Sequence, residues 1–316
     1  FKAPNKLIHD NVYCLELFHG PTLSFKDFGA RFMARCMECF IESLDKEINI
    51  LVATSGDTGS AVADGFYGVE GVNVIILYPK GKVSEIQEKQ LATLDKNIFA
   101  LEIDGTFDDC QKLVKNAFLD KSLKEKINLS SANSINIARL IPQSFYYAYS
   151  FLQLENKSIP TVFSVPCGNF GNITAGLVAK KMGIPIHQFI AATNLNNVVP
   201  NYFKTGIYKP KKSIRTLSNA MDVGNPSNMA RIMDMYNGIE KLQHDMVSWS
   251  FNEDETSNMM QQKGRVRITA GAVTFIVQHE LWDGNLQDHS DQGVAILVTA
   301  EANGKDTTLL RFNCFD

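Results

Sequence analysis

Five short runs of aliphatic and β-branched residues most constrain what this chain can fold into: INILVAT (48–54), VNVIILY (72–78), NIFALEID (97–104), TVFSVP (161–166) and IHQFIAAT (186–193). A strand with one face in water alternates apolar and polar residues. Strands apolar at nearly every position need cover on both faces, as in a parallel sheet flanked by helices. The intervening stretches 58–68, 84–94, 107–119 and 171–182 have helical length and period. This alternation predicts an α/β fold built from two doubly wound parallel-sheet halves, residues 1–154 and 155–260, with a helix-rich join near 134–154. From about Lys263 the helical period stops, and GRVRITAGAVTFIVQ and GVAILVTAEANGKDTTLLRF read as strands. Asn303-Gly304 suits a two-residue hairpin, whose central positions both need positive φ. Residues 261–316 are therefore expected to form a β-rich tail of unassigned role.

A length of 316 residues with 45% hydrophobic and 21% charged content suits about two ordinary globular domains. A formal net charge of −3 gives no reason to expect nucleic acid or an anionic membrane as partner. No apolar run approaches a membrane span and no signal peptide is visible. The six cysteines are scattered, and the one close pair, Cys36 and Cys39, falls within the expected helix 27–43, where both read as small buried hydrophobes. A reducing, cytoplasmic setting is expected. His279, Asp283, Asp288, His289 and Asp291 match no metal-ligand spacing and read as solvated loop residues. The oligomeric state is not legible.

Ligands of open α/β sheets sit beyond the carboxyl ends of the strands, and three stretches fall there. ATSGDTGSAV (53–62) turns from a strand into a helix through small hydroxylated residues, offering N–H and O–H groups to a carboxylate or phosphate. Alone it reads equally as a plain glycine-rich turn with its cap. In SVPCGNFGNITAG (164–176), Gly168 and Gly171 bracket a loop whose amides can wrap phosphate oxygens. Neither a dinucleotide G-x-G-x-x-G nor a P-loop is present. In SSANSINIAR (130–139), Asn133 and Ser134 open a helix that carries Arg139. An arginine so placed opposes the helix dipole and needs an anionic partner; a surface arginine in a capping context is the equal alternative.

FHGPTLSFKDFGARFMA (18–34) sets Lys26 between Phe25 and Asp27, ahead of Phe28. A lysine desolvated by aromatic neighbours loses basicity and becomes a competent amine nucleophile. Beside a phosphate cradle, an amine able to condense with an aldehyde describes a site for pyridoxal phosphate, with the second anion site left for a substrate.

HGPTLSFKDFGARF, ATSGDTGSAVA, SANSINIAR, VPCGNFGN and TLSNAMDVGNPSN together resemble the threonine synthase family, pyridoxal-phosphate enzymes of the tryptophan-synthase-β fold type, over residues 8–260. The resemblance implies O-phospho-L-homoserine as substrate, and threonine and phosphate as products. It implies that Lys26 forms a Schiff base with pyridoxal 5'-phosphate and shuttles the substrate's α- and β-protons, while Phe25 fixes the ring. It places Asp57 near the ring's phenolic oxygen and Gly168, Asn169, Phe170, Gly171 and Asn172 on the cofactor phosphate. Ser55 and Thr58 would face the substrate carboxylate, and Asn133, Ser134 and Arg139 its phosphate. The family carries a segment ahead of the position matching Phe1, and its partner for the pyridine nitrogen finds no match after about Met260. Two other readings stay open: a phospho-lyase of the same fold that releases 2-oxobutyrate, and a truncated chain without catalysis.

Overall fold

Each of the five apolar runs forms a strand in the computed structural model, within a residue or so of its bounds in the sequence. The structure describes residues 2–9, 11–41, 47–216 and 218–250, and four strands between 265 and 314. The chain opens with an antiparallel pair, β1 (Asn5–His9) and β2 (Val12–Leu15). Then follow α1 (Lys26–Ile41), β3 (Ile48–Ala53), α2 (Asp57–Phe66), β4 (Val72–Pro79), α3 (Glu85–Ala92), β5 (Ile98–Ile103), α4 (Phe107–Leu119), α5 (Lys121–Lys126) and β6 (Asn128–Ser131). Strands β3 to β6 form one parallel sheet in the order β5-β4-β3-β6. The chain winds outward from β3 through β4 to β5, then returns to add β6 on the other side of β3. The direction of winding thus reverses at β3, which opens a crevice beyond the carboxyl ends of β3 and β6.

After α6 (Ile137–Leu140), a 3-10 turn at 141–143 and α7 (Ser144–Leu152), a second parallel sheet begins with β7 (Thr161–Pro166). It continues through α8 (Gly171–Lys181), β8 (Ile186–Thr193), α9 (Val198–Thr205), α10 (Met229–Tyr236), α11 (Ile239–Asp245) and β9 (Met246–Ser250), in the order β7-β8-β9. The cores explain the apolar runs. Ile50, Val52, Val74 and Ile76 are fully buried against Ala61, Val62 and Phe66 of α2 and Ala30, Met33 and Ala34 of α1. Phe189 and Ala191 of β8 pack with Ile173 and Leu177 of α8 and Tyr147 of α7. Each fully buried Val, Leu, Ile or Phe contributes about 1.5–3 kcal/mol.

The tail is an antiparallel meander of β10 (Arg265–Ala270), β11 (Val273–Leu281), β12 (Gln292–Ala302) and β13 (Lys305–Cys314). Ala302 pairs with Lys305, so a two-residue connection joins β12 and β13; Asn303 and Gly304 themselves lie outside the described residues. So do Asp283, Asp288, His289 and Asp291 and the side chain of His279. Among the described residues no group of His, Cys, Asp and Glu could hold a metal ion, and no helix is long and apolar enough to cross a membrane. Cys36 is half-buried and Cys39 exposed on α1, so that face of the helix carries thiols outward rather than into the core.

Candidate active site

Lys26 is the first residue of α1, and the turn before it is tied down. The Thr22 amide donates to Asp27 Oδ2 at 3.0 Å and the Thr22 hydroxyl donates to Oδ1. The Lys26 amide donates to Ser24 Oγ at 3.2 Å, and Tyr146 donates its hydroxyl to the Phe25 carbonyl at 2.7 Å. Held so, Lys26 sends its Nζ inward, 3.7 Å from Asp57 Oδ2 with the lysine side chain only 14% exposed. The ammonium also lies 5.7 Å from the centre of the Phe25 ring. Burial depresses its proton affinity, Asp57 works against that shift, and the Arg139 charge adds to it. Phe28, expected as a second shield, instead packs against Phe32, Phe145 and Tyr146.

Asp57 begins α2 and is aimed from a distance. Gln87 Nε2 donates to Asp57 Oδ1 at 2.6 Å while Gln87 Oε1 accepts from the Ser84 amide at 3.0 Å. Gly56, at φ 139°, lies where any side chain would collide with the Gln87 amide. The fully buried Thr54 hydroxyl accepts from the amides of Gly56 and Gly59 at 3.0 and 2.8 Å and donates to the Gly56 carbonyl. That leaves Ser55 and Thr58 on the cavity wall at the N-terminus of α2, with no side-chain hydrogen bond to the described residues.

Opposite, the turn after β7 carries Phe170 in the left-handed region at φ 59°, immediately before α8. That conformation costs an aromatic residue roughly 1–2 kcal/mol, and Phe170 is 1% exposed, so packing enforces it. Asn169 is clamped by the Ser227 amide at 2.6 Å and hydroxyl at 3.0 Å. Asn172 donates to the Pro166 carbonyl at 2.7 Å. No amide of residues 168–172 donates to a carbonyl among the described residues. Amides turned to one side at a helix N-terminus form a nest for an anion.

The third wall is the segment after β6. The helix there starts at Ile137, later than expected, because the Asn136 side chain accepts the Ala138 amide at 3.0 Å and caps it. Asn133 and Ser134 thus occupy the preceding turn. Asn133 holds the end of β3, accepting from the Ala53 amide at 3.1 Å and donating to its carbonyl at 2.7 Å. Ser134 Oγ accepts from Asn169 and Asn228, each at 3.0 Å, which leaves its own proton to give. Arg139 is 2% exposed, not a surface residue. Its Nη1 donates to the Ala132 carbonyl at 3.0 Å, its Nε has no partner, and no carboxylate pairs with it among the described residues. Burial lowers its affinity for a proton, to a pKa of about 10.

One cavity gathers Phe25, Lys26, Ser55, Thr58, Asn133, Ser134, Arg139 and residues 168–172. Asp57 stands behind Lys26 rather than on the wall. Gln143, Phe107, Met221 and Val223 also line it, and Asn228 and Arg231 buttress it, Arg231 donating to the Ser134 carbonyl at 3.0 Å. The sequence offered a signal for Met221, Val223 and Asn228, since all lie in TLSNAMDVGNPSN, but nothing for Gln143, whose place depends on the 3-10 turn.

A shielded lysine facing a nest of free amides across the switch point of a parallel sheet defines a pyridoxal-phosphate enzyme of fold type II. Residues 1–297 match the family described as pyridoxal-phosphate dependent enzymes, and the chain belongs to it. It is 51% identical over 282 residues to the threonine synthase of Haemophilus influenzae, covering 88% of this chain and 66% of that protein. With the Escherichia coli threonine synthase it shares 53% identity over 237 residues, 75% of this chain and 55% of the relative. The crystal structure of the Escherichia coli threonine synthase superposes with a TM-score of 0.75 at 47% identity, over 83% of this chain and 61% of that one. A pyridoxal-phosphate-bound threonine synthase from Brucella melitensis gives 0.74 at 36% identity, over 81% and 61%. The chain thus spans about two-thirds or less of these relatives' length.

Proposed function

We propose that this chain acts as a threonine synthase, converting O-phospho-L-homoserine and water to L-threonine and phosphate. The observation that carries this is Arg139: a buried guanidinium on which Asp27 acts through its field but which has no carboxylate in ion-pair contact among the described residues, in the same cavity as Lys26 and a separate nest of unpartnered amides. One cofactor phosphate cannot use both anion seats, so the substrate brings a second. The high identity to threonine synthases supports the same substrate.

The residues present fit pyridoxal phosphate: Lys26 would hold its aldehyde carbon, and the amides of 168–172, none of which donates to a carbonyl among the described residues, its phosphate. When bound, it supplies an electron sink for the substrate's α- and β-carbons. Ser55, Thr58 and the N-terminus of α2 orient the substrate carboxylate. Arg139 and the Ser134 hydroxyl hold the phosphate at the γ-carbon, with Asn133 pinning their turn to β3. Lys26 Nζ, its basicity lowered by burial, takes the α- and β-protons, and Asp57 stabilises the ammonium so formed. As phosphate leaves with the Cγ–O electron pair, Lys26 hands one of these protons to the γ-carbon, which becomes the methyl group. Water adds its hydroxyl at the β-carbon and gives its remaining proton to the departed phosphate, and Lys26 returns the other proton to the α-carbon, inside walls that include Phe25, Phe107 and Met221. The five described cysteines are free thiols, which supports a cytoplasmic setting. Incubation of the purified chain with pyridoxal phosphate and O-phospho-L-homoserine is expected to yield threonine and phosphate in equal amounts. Phosphate with 2-oxobutyrate, or no turnover, would overturn the proposal.

A further inference from the structure

Gln143 belongs to the cavity wall but to no role above. Its side chain is 3% exposed, and Nε2 donates to the Arg139 carbonyl at 2.8 Å. That bond fixes which end of the amide is which, because only the nitrogen can donate to a carbonyl. Its oxygen, Oε1, is therefore an acceptor, buried and without a partner among the described residues, just as the neighbouring Arg139 Nε is a buried donor without one among them. α1 closes over both: a side chain on Gly29 would meet Arg139 Nε at 3.6 Å and Gln143 Cγ at 3.7 Å. An acceptor is wrong for a fully ionised phosphate ester, whose oxygens only accept. It is right for a ligand that presents an anionic oxygen to the guanidinium and one P–OH proton to Gln143.

We propose that Gln143 determines specificity by accepting the proton of a singly protonated phosphate monoester, so that the pocket takes the monoanion and rejects sulfate and the ester dianion. This rests on the reading of Arg139 as the seat of the substrate phosphate. The chemistry of departure gives the proton a use. When the Cγ–O bond breaks, its electron pair stays on oxygen. The monoanionic ester then leaves as hydrogen phosphate dianion, whereas the dianionic ester would have to leave as the phosphate trianion, a far poorer leaving group. Around the pair, the charged and titratable groups are Arg139 itself, Lys26 and Asp27 of α1, Asp57 of α2 and Tyr146 of α7.

The test is calorimetric titration of the cofactor-loaded protein with inorganic phosphate, sulfate and ethyl phosphate between pH 5 and 8. Inorganic phosphate keeps at least one proton throughout this range and sulfate has none, so phosphate is expected to bind about ten- to a hundredfold more tightly, the range set by one buried acceptor left unpaired. Ethyl phosphate, corrected by the sulfate control for the protein's own titrations, is expected to weaken about tenfold per pH unit above about 6, where the monoester loses its proton. In Gln143→Met both effects shrink to within about threefold. Equal binding of phosphate and sulfate with a flat ethyl phosphate profile overturns the role of Gln143, whose oxygen would then meet only water. A wild-type preference retained in Gln143→Met overturns it as well. If no phosphate binds at any pH, the Arg139 seat itself fails and the proposal falls with it; threonine formation, assayed separately, distinguishes the two failures.

Discussion

Replacing Arg139 by methionine is expected to make the ligand-free protein slightly more stable while crippling it. The guanidinium has a folded pKa of about 10 against an ordinary 12.5. At about 1.4 kcal/mol per pH unit, its charged form carries a folded-state cost on the order of 3 kcal/mol. That cost is fully present at pH 7, below both values, and is relieved only as pH rises past 10. A neutral side chain of similar length removes it. Against this stands the Nη1 bond to the Ala132 carbonyl at 3.0 Å, whose loss leaves a buried acceptor unpaired at about 1–3 kcal/mol. The balance is a gain of about 1 kcal/mol, or roughly 2 °C in melting temperature for a chain of this size. Urea and thermal melts in phosphate-free buffer measure it. In the same variant, loss of the charged partner of a bound phosphate costs about 2–5 kcal/mol, lowering kcat/KM by about thirtyfold or more. A variant less stable than wild type by about 2 kcal/mol or more that still turns over normally would show Arg139 to be a structural cation rather than an anion seat.

Gly168→Ala places a methyl group 2.7 Å from Met221 Cα, and backbone cannot rotate aside. Overpacking of this kind costs about 1–3 kcal/mol, read as a lower melting temperature together with weaker pyridoxal phosphate binding in an absorbance titration. Lys26→Met is expected to change the alkaline pH dependence of stability in the cofactor-free protein. Because the folded amine's proton affinity is depressed by burial, the unfolded chain binds more protons between that lowered value and the ordinary 10.5. Wild-type stability therefore gains a positive slope with pH in that window, which the variant loses; identical slopes would contradict the burial of Lys26.

The parallel strands were legible because both their faces are covered, leaving an unbroken apolar signal. β6 was not: its residues, NLSS, read as polar, and it joins the sheet by pairing with β3 rather than through its own hydrophobicity. The short helices α9 to α11 and the strand β9 gave no long period to detect. Lys26, Arg139 and the 168–172 turn stood out because each combined an awkward residue with an awkward place: a charge among aromatics, a cation near a helix start, a glycine-bracketed turn after a strand. Gln143 and Gln87 had no such mark. A glutamine on a helical segment is ordinary until tertiary packing buries its amide against a particular partner, and that burial is set by elements remote in the chain.

Borohydride reduction of the chain mixed with pyridoxal phosphate, followed by peptide mass mapping, bears most closely on whether Lys26 is the reactive amine of this cavity. A visible absorbance band that reduction abolishes is expected, with one reduced pyridoxyl group fixed on the peptide carrying Lys26. Label spread over surface lysines such as Lys80 and Lys89, with Lys26 unmodified, would refute it.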